Sequence, residues 1–293
     1  MRRLRLTQAD EFPCAGLRRP TGVNVCIMEC LSYHLAWQYP LGRSTNESVA
    51  HFAAAYDDAG ATQSQYFDPT RKALISRLEL GFVETLSIVG RRMVDVGAGV
   101  GIFASAAAGS GWEVTAVDPA LNPTDLAGTA IRSIAGTLAD LPAGERFDVV
   151  TLWDVVEHAT DPVALIREAR ERSAPGGFLI IETGNYKCAS RIDAGNDHWI
   201  YQLDHRWYFA PESLEGLLRK LRAIDLTFSQ RVLRPAWKGR VDYAGPRLRD
   251  FIRFAVRHPL QIGQQWRNFR LLQQARTWRM AGLAIFCVAA RFP

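Results

Sequence analysis

The sequence lacks both a membrane-spanning run and a secretory signal. No apolar stretch approaches the roughly 18 residues that a transmembrane helix needs, and the basic start MRRLRLTQADEF has no apolar segment behind it. Cysteine is scarce and odd in number, with five residues at positions 14, 26, 30, 188 and 287. Reduced thiols fit this count better than a disulfide framework. These absences predict a cytoplasmic protein.

No internal repeat or low-complexity tract appears, and the composition is ordinary for a globular protein. The 293 residues are 48% hydrophobic and 22% charged, enough to bury a substantial core. The charge, however, is uneven. Residues 231–280 hold 12 arginines and lysines against two aspartates, about +10, whereas the whole chain carries +5. The basicity therefore belongs to one segment, and the remainder is about −5.

Strand and helix patterns alternate through the middle of the chain. The pattern predicts strands at 92–96, 113–117, 130–134, 147–153 and 178–182, and helices at 102–108 and 162–172. Alternation at this spacing is typical of βαβ units in a mostly parallel sheet. Ligands of such sheets bind at the carboxyl ends of the strands. A glycine-rich turn occupies the end of the first predicted strand.

The glycine turn indicates a nucleoside ligand without a pyrophosphate. Gly97, Gly99 and Gly101 follow the strand, but the third glycine of a dinucleotide fingerprint would stand at Ile102, and the lysine of a P-loop is absent. The following helix N-terminus favours an anionic group. Asp118 ends the next strand, placed to accept hydrogen bonds from two ribose hydroxyls. A ribose and a carboxylate suit this arrangement.

Four segments carry a family resemblance. They are VDVGAGVG (94–101), VTAVDP (114–119), FDVVTLWDVVEHATDP (147–162) and PGGFLIIET (175–183). In this order and spacing the chain resembles the class I S-adenosylmethionine-dependent methyltransferases, of the group that includes the ubiquinone-biosynthesis O-methyltransferases. The resemblance implies a doubly wound α/β fold with a seven-stranded, mostly parallel sheet. Its sixth strand would lie at 223–233, and its antiparallel last strand at 283–290.

The resemblance also implies S-adenosyl-L-methionine as the cofactor. The residues assigned to its pocket are Asp95, Gly97, Ala98, Gly99, Gly101, Asp118, Pro119, Thr137, Leu138 and Trp153. One departure stands in GTLADLP (136–142), where the family often has Gly-Asp-Ala with the aspartate facing the adenine. Thr137 could accept that hydrogen bond, or Asp140 could turn inward; both alternatives stay open.

Two histidines after the fifth strand are the candidate catalytic residues. Methyl transfer requires alignment and exclusion of water, and an oxygen nucleophile also needs its proton removed. His198 and His205 lie in the segment NDHWIYQLDHRWYF (196–209), whose aromatic residues suit a water-excluding pocket. The alternative is that these aromatics pack the loop and that His205 binds a backbone carbonyl. His158, in the Glu-His signature, is expected at the pocket edge.

The chain divides into an N-terminal segment and cap at 1–65 and a methyltransferase domain at 66–293. Residues 45–89 have helical spacing and are predicted to cover the cofactor. Cys14, Cys26, Cys30 and His34 would make four zinc ligands only in an unusual arrangement, so no metal is predicted. A basic helical insertion at about 234–280 precedes the last strand. One interpretation of this insertion is a solvated arginine face. The others are contact with an acidic or carrier-linked acceptor and contact with a membrane surface, and binding of nucleic acid ranks last.

These observations predict an enzyme that methylates a small molecule, with a hydroxyl oxygen as the acceptor atom and His205 as the base. Transfer to nitrogen or carbon by proximity alone is the alternative within the class. A cofactor-binding module without catalysis is the alternative outside it, against which the intact glycine motif and Asp118 argue. Ile102 and the Glu157-His158 signature disfavour a nicotinamide dehydrogenase.

Overall fold

The computed structural model describes most of the methyltransferase domain and parts of the N-terminal segment. The described residues are 6–7, 11–13, 24–30, 32–39, 69–188, 191, 200–201, 205–230, 252, 256 and 285–293. None of the helices in these ranges is long and apolar enough to cross a membrane.

Twelve strands and four α-helices are present in the described residues. The strands are β1 (Leu6–Thr7), β2 (Glu11–Pro13), β3 (Asn24–Cys30), β4 (Leu35–Tyr39), β5 (Arg92–Val96), β6 (Glu113–Val117), β7 (Arg132–Ile134), β8 (Phe147–Trp153), β9 (Ser173–Gly184), β10 (Trp207–Tyr208), β11 (Asp225–Gln230) and β12 (Ile285–Arg291). The helices are α1 (Pro69–Val83), α2 (Ile102–Gly109), α3 (Pro162–Arg172) and α4 (Pro211–Lys220). Two short 3-10 helices lie at Pro123–Leu126 and Leu138–Asp140.

The main sheet has seven strands in the order β11-β12-β9-β8-β5-β6-β7. The central pairs β8–β9, β5–β8, β5–β6 and β6–β7 are parallel, whereas β12 runs antiparallel to both β9 and β11. The predicted fold class, including the antiparallel last strand, is therefore confirmed. The strand order reverses at β5, which places the glycine turn at the crevice where ligands of such sheets bind.

Both faces of this sheet are buried. Adjacent residues in one strand, such as Met93 and Val94, belong to two different apolar clusters on opposite sides. Ile180 and Ile181 divide in the same way. A parallel sheet covered by helices on both faces needs continuous apolar strands, and this is why the runs at 92–96 and 147–153 predicted their strands to the residue.

The stretch Pro175-Gly176-Gly177 forms an irregularity within β9. Phe147 pairs with Ser173, but the next pairing is Val149 with Phe178, so β9 carries extra residues opposite β8. Gly176 has a φ of 75°, in the left-handed region that glycine tolerates. The strand accommodates the extra residues as a bulge.

A second, five-stranded sheet brings the N-terminal segment against the methyltransferase domain. Strands β1 and β2 pair with β3, and β3 pairs with β4. On its other side β4 pairs with β10, where Trp37 lies opposite Trp207 and Ala36 opposite Tyr208. The sequence analysis did not foresee this sheet. Helix α1 falls within the segment of helical spacing and packs against α2, while 40–68 lie outside the described residues.

Two further predictions fall mainly outside the described residues. Of the basic insertion, Ile252 and Val256 are described, both helical and exposed. Of the four N-terminal candidate zinc ligands, Cys14 lies outside the described residues, and Cys30 is buried at the end of β3. His34 follows in the turn, with a positive φ of 54°.

Candidate cofactor and acceptor site

The glycine turn after β5 needs glycine for its backbone conformation. Gly97, Gly99 and Gly101 have φ values of 74°, 55° and 76°, all left-handed. The turn is also tied to the neighbouring strand, because the N–H groups of Gly97 and Ala98 donate to the carbonyl of Val117 at 2.8 and 3.3 Å. Helix α2 then begins at Ile102, with Gly101 as its N-cap.

Two of these glycines also lie where no side chain fits. A Cβ on Gly97 would approach Val155 Cγ2 to 2.5 Å, and a Cβ on Gly101 would approach Leu126 Cδ2 to 2.6 Å. Contacts this short are far inside van der Waals distance. These two glycines therefore allow close packing of the turn against the segment after β8 and against the segment after β6.

Asp118 fixes the turn from the end of β6. Its Oδ2 accepts a hydrogen bond from the Gly99 N–H at 2.9 Å, and its Oδ1 accepts from the Ala120 N–H at 2.7 Å. The side chain is partly exposed, as is expected of a residue that meets a ligand. Pro119, also assigned to the pocket, is exposed beside it. Each carboxylate oxygen has further acceptor capacity for a hydroxyl group.

Asp95 lies beneath the turn and is 2% exposed. Its Oδ1 accepts a hydrogen bond from Thr151 Oγ1 at 2.8 Å, across the β5–β8 pair. Burial raises the pKa of Asp95 to about 8, and the nearby charges of Glu79 and Asp118 add to the rise, while the Thr151 hydrogen bond opposes it. The Asp95 carboxyl is therefore mostly protonated at neutral pH.

Residues 136–142, where the sequence departs from the family pattern, form a capped 3-10 turn. Asp140 Oδ2 accepts from the Thr137 N–H at 2.7 Å and from the Thr137 hydroxyl at 3.2 Å. The Asp140 carboxylate thus folds back onto its own turn, which argues against the alternative in which it turns inward. The Leu138 side chain is 1% exposed and belongs to the main core, so its backbone is the part left for a ligand. Thr137 is exposed.

Trp153, at the carboxyl end of β8, supplies a buried donor next to the turn. Its ring lies 5.1 Å from that of Phe103 in α2, centroid to centroid. Its indole N–H is buried and has no hydrogen-bond partner among the described residues. Asp154 follows with a positive φ of 53°. Strained backbone of this kind clusters at functional sites, and here it falls where β8 leaves the sheet.

His205 packs against the Glu-His signature. Its Nδ1 lies 2.7 Å from the Ile200 carbonyl oxygen, and its ring centroid is 4.8 Å from that of His158 at a steep angle of 74°. Potential ligand atoms of Glu157, His158 and His205 all lie within 4.8 Å of one another. Both interpretations of His205 find support, because it contacts a carbonyl and also stands beside the carboxyl end of β8. His198 lies outside the described residues.

Backbone hydrogen bonds hold the His205 segment on both sides. The N–H groups of Arg206 and Trp207 donate to the Glu157 carbonyl at 2.8 and 3.1 Å, and the Gln38 N–H donates to the Arg206 carbonyl at 3.0 Å. The segment therefore bridges the end of β8 and the N-terminal strand β4. Sequence reasoning missed Gln38 and its neighbours, because no motif marks a strand that pairs with residues about 170 positions away.

The family assignment follows from comparison with known proteins. A methyltransferase-domain family model matches residues 53–221, more than half of the chain. A ubiquinone biosynthesis O-methyltransferase of Azorhizobium caulinodans is 31% identical over 195 residues, which cover 56% of this chain and 76% of that protein. The protein of the same name from Cereibacter sphaeroides is 33% identical over 150 residues, covering 46% and 61%.

Solved structures agree on the fold. A SAM-dependent methyltransferase from Thermotoga maritima superposes with a TM-score of 0.54 at 17% identity, covering 84% of this chain and all of that one. The 1,6-didemethyltoxoflavin-N1-methyltransferase of Burkholderia thailandensis gives 0.51 at 17% identity, covering 95% and 99%. At such identity these likenesses concern the fold alone. Together with the matched domain and the glycine turn, they place the chain in the class I S-adenosylmethionine-dependent methyltransferases.

Proposed function

We propose that this chain transfers the methyl group of S-adenosylmethionine to a hydroxyl oxygen of a small molecule. One observation carries the proposal. The glycine turn held by Asp118 and the His205 segment held by Glu157 both lie at the carboxyl ends of the parallel strands, on adjoining strands β5 and β8. A cofactor-binding end and a candidate base therefore share one edge of the sheet.

The residues at that edge fit the cofactor chemically. Asp118 has acceptor capacity for ribose hydroxyls, and the N-terminus of α2 favours the carboxylate of the amino-acid part. The buried Trp153 N–H requires an acceptor that the described residues do not supply. Thr137 and Leu138 remain assigned to the adenine side, and Pro119 remains assigned to the cofactor pocket. When bound, S-adenosylmethionine supplies an activated methyl group on a sulfonium, so the protein has to align the acceptor, exclude water and, for a hydroxyl acceptor, remove its proton.

His205 is the proposed base for the acceptor hydroxyl. When its Nδ1–H donates to the Ile200 carbonyl, the neutral imidazole carries its basic lone pair on Nε2. Burial at 6% exposure protects that nitrogen from bulk water. Imidazole titrates near neutral pH, which suits removal of a hydroxyl proton as the methyl arrives. His198 stays the second candidate.

Oxygen is the proposed acceptor atom because both curated relatives described above are named O-methyltransferases, at 31% and 33% identity. Transfer to nitrogen or carbon is the second candidate, and it needs no base because an unprotonated amine only has to be aligned. The proposed acceptor is a small molecule, acidic or carrier-linked, and the proposed location is the cytoplasm.

Methyl transfer can be tested on the purified chain with isotopically labelled S-adenosylmethionine and a panel of phenols, catechols and primary amines. Mass spectrometry of the products identifies the methylated atom. We expect formation of S-adenosylhomocysteine with hydroxyl acceptors and calorimetric binding of both cofactor forms. Products methylated only at nitrogen would favour the second candidate. Binding without turnover on any acceptor would favour a cofactor-binding module.

A further inference from the structure

Arg191 lies shortly after the end of β9, at the carboxyl ends of the parallel strands, where the acceptor is proposed to bind. The chain leaves β9 at Gly184, and Asn185 and Tyr186 continue beside Phe209, to whose carbonyl the Tyr186 N–H donates at 2.8 Å. Strand β9 is the neighbour of β8, and β8 separates it from the strand that bears the glycine turn. Residues that follow β9 therefore stand at the same sheet edge as the proposed cofactor, one strand beyond His158.

The guanidinium of Arg191 is held by two tyrosines. It lies 4.0 Å above the centre of the Tyr186 ring, a cation–π contact. Its Nη1 donates to the Tyr201 hydroxyl at 3.0 Å, and its Nε donates to the Tyr186 carbonyl. The side chain is half-buried. Three contacts on one planar group fix its orientation before any ligand arrives.

The tyrosines around Arg191 form a buried wall. Tyr186, Tyr201 and Tyr208 are 6%, 3% and 1% exposed, and their rings pack on one another at 5.5–5.8 Å. The Tyr208 hydroxyl accepts from Gln38 Nε2 at 3.1 Å, which ties the wall to β4. Burial raises the pKa of Tyr186 above its ordinary value, so this phenol stays neutral. The wall is aromatic.

The positive charge of Arg191 lacks an acidic partner among the described residues. The ionisable groups that act on it are Tyr201, Tyr186 and Cys188, none of which is a carboxylic acid. By contrast, two arginines of the main sheet, Arg92 and Arg132, share the acid Glu145. A half-buried cation loses hydration, and a bound anion restores the lost interaction.

We propose that Arg191 binds an anionic group of the methyl acceptor, a carboxylate or a phosphate, while the body of the acceptor lies toward His205. This inference rests on the proposed function and names its substrate class. The planar guanidinium suits either oxyanion, because both accept paired hydrogen bonds from one fork. His205 belongs to the same aromatic cluster, with its ring 6.5 Å from that of Tyr208. Arg191 would thus select the acceptor and set its distance from the base.

The test uses three compounds that share a phenyl ring and differ in charge: phenol, 4-hydroxybenzoate and phenyl phosphate. Calorimetry on the full chain saturated with S-adenosylhomocysteine gives their affinities. We expect one or both anions to bind at least about tenfold more tightly than phenol, the size of one charge-assisted hydrogen bond. The anion that binds more tightly identifies the group. Arg191→Met should remove the preference, and Arg191→Lys should keep part of it, because lysine retains the charge without the fork.

Arg167→Met is the matched control, because Arg167 is an exposed arginine on α3 and its loss changes the net charge equally. Binding of S-adenosylhomocysteine to each variant reports both folding and the proposed function. If the wild-type chain binds phenol as tightly as both anions, binds none of the probes, or keeps its preference in Arg191→Met, the assignment of Arg191 is overturned. Failure to bind S-adenosylhomocysteine would instead count against the proposed function, and the probes would then be compared without it.

The variants could lose their fold, and a measurement on the wild-type chain covers that case. Its preference for an anion over phenol should shrink as salt rises from low to high concentration, because ions screen a partly exposed charge. A preference that salt leaves unchanged would overturn the role of Arg191 even if Arg191→Met does not fold.

Discussion

Asp118 accepts a hydrogen bond from the backbone N–H of Gly99, joining the end of β6 to the glycine turn after β5. The carboxylate therefore has a structural task in addition to the ribose contact that its position predicts. Under the proposed ribose contact, the same oxygens would serve both tasks, and binding of the cofactor and the shape of the turn would depend on one side chain. A ligand that contacts Asp118 also stabilises the turn.

Replacing Asp118 by alanine should weaken binding of S-adenosylhomocysteine by about 1–3 kcal/mol, because ribose hydroxyls and the Gly99 N–H both lose their acceptor. Asp118→Asn keeps one acceptor oxygen and the side-chain volume, so we expect a smaller loss. Calorimetry on the three proteins measures the effect, with thermal unfolding as the check on folding. Equal affinity of wild type and Asp118→Ala would remove Asp118 from the site.

Gly97→Ala should destabilise the fold by about 2–4 kcal/mol, because it combines left-handed strain with overlap against Val155. Gly128 is a matched control. Its φ of 79° is equally left-handed, but nothing lies within 4 Å of an added Cβ, so Gly128→Ala should cost only about 1–2 kcal/mol.

Chemical unfolding of the single and double variants separates the cost of the overlap from the cost of the left-handed strain. In a chain that already carries Val155→Ala, Gly97→Ala should no longer cause the overlap. Its remaining cost in stability should be the left-handed strain alone. Equal costs at positions 97 and 128, with no coupling to Val155, would contradict the close packing of the turn.

The stability of the chain should fall as pH rises from about 4 to about 8, through Asp95. Its folded pKa of about 8 lies above the ordinary value of 3.8, so within this window the folded chain holds a proton that the unfolded chain has lost. Folding takes up that proton, and stability declines by up to about 1.4 kcal/mol per pH unit. Asp95→Asn mimics the protonated carboxyl and keeps an acceptor for Thr151, so it should lack this slope.

Urea unfolding of both proteins at several pH values measures the difference. The free energy of unfolding of Asp95→Asn, relative to that of the wild type, should increase steadily between pH 5 and pH 8. Curves that run parallel across this range would mean that Asp95 is ionised in the folded chain, in disagreement with its burial.

His205→Ala should reduce turnover by about 10²–10⁴-fold and leave the affinity for S-adenosylhomocysteine intact. His205→Asn separates the two interpretations of this residue. The asparagine amide can still donate to the Ile200 carbonyl but cannot act as a base, so turnover should stay low in this variant too. If asparagine restores turnover, His205 only holds the loop. A loss below tenfold in His205→Ala would favour transfer by proximity, and His198→Ala would then be the next variant.

Chelation tests whether the side chains around His205 bind a metal ion. Glu157, His158 and His205 bring potential metal ligands within 4.8 Å of one another. If His205 acts as a base, EDTA should leave wild-type turnover unchanged. Turnover that is lost on chelation and restored by a divalent cation would assign these side chains to a metal ion instead.

The predictable part of this fold is the part that local pattern determines. Strands β5, β6 and β8 were predicted to the residue, because a sheet buried on both faces requires unbroken apolar runs and glycine or charged residues end them. The candidate cofactor residues were assigned from the same strand ends and from the family resemblance, and they stay a prediction. The N-terminal sheet was not foreseen, since β10 has only two residues and its partner β4 is distant in sequence. Arg191 escaped notice for the same reason: its tyrosine contacts depend on tertiary packing.

Strand β10 pairs with β4, and β4 precedes the segment that the family model matches, which begins at residue 53. The two parts of the proposed reaction therefore depend on different segments of the chain. The glycine turn lies within residues 53–221, which the family model matches, whereas the His205 segment is also held by β4, which lies before them. Substitutions in residues 24–39 can move His205 and the tyrosine wall without disturbing the glycine turn. We therefore expect that selectivity for the acceptor can be altered through the N-terminal strands while the proposed cofactor site stays unchanged.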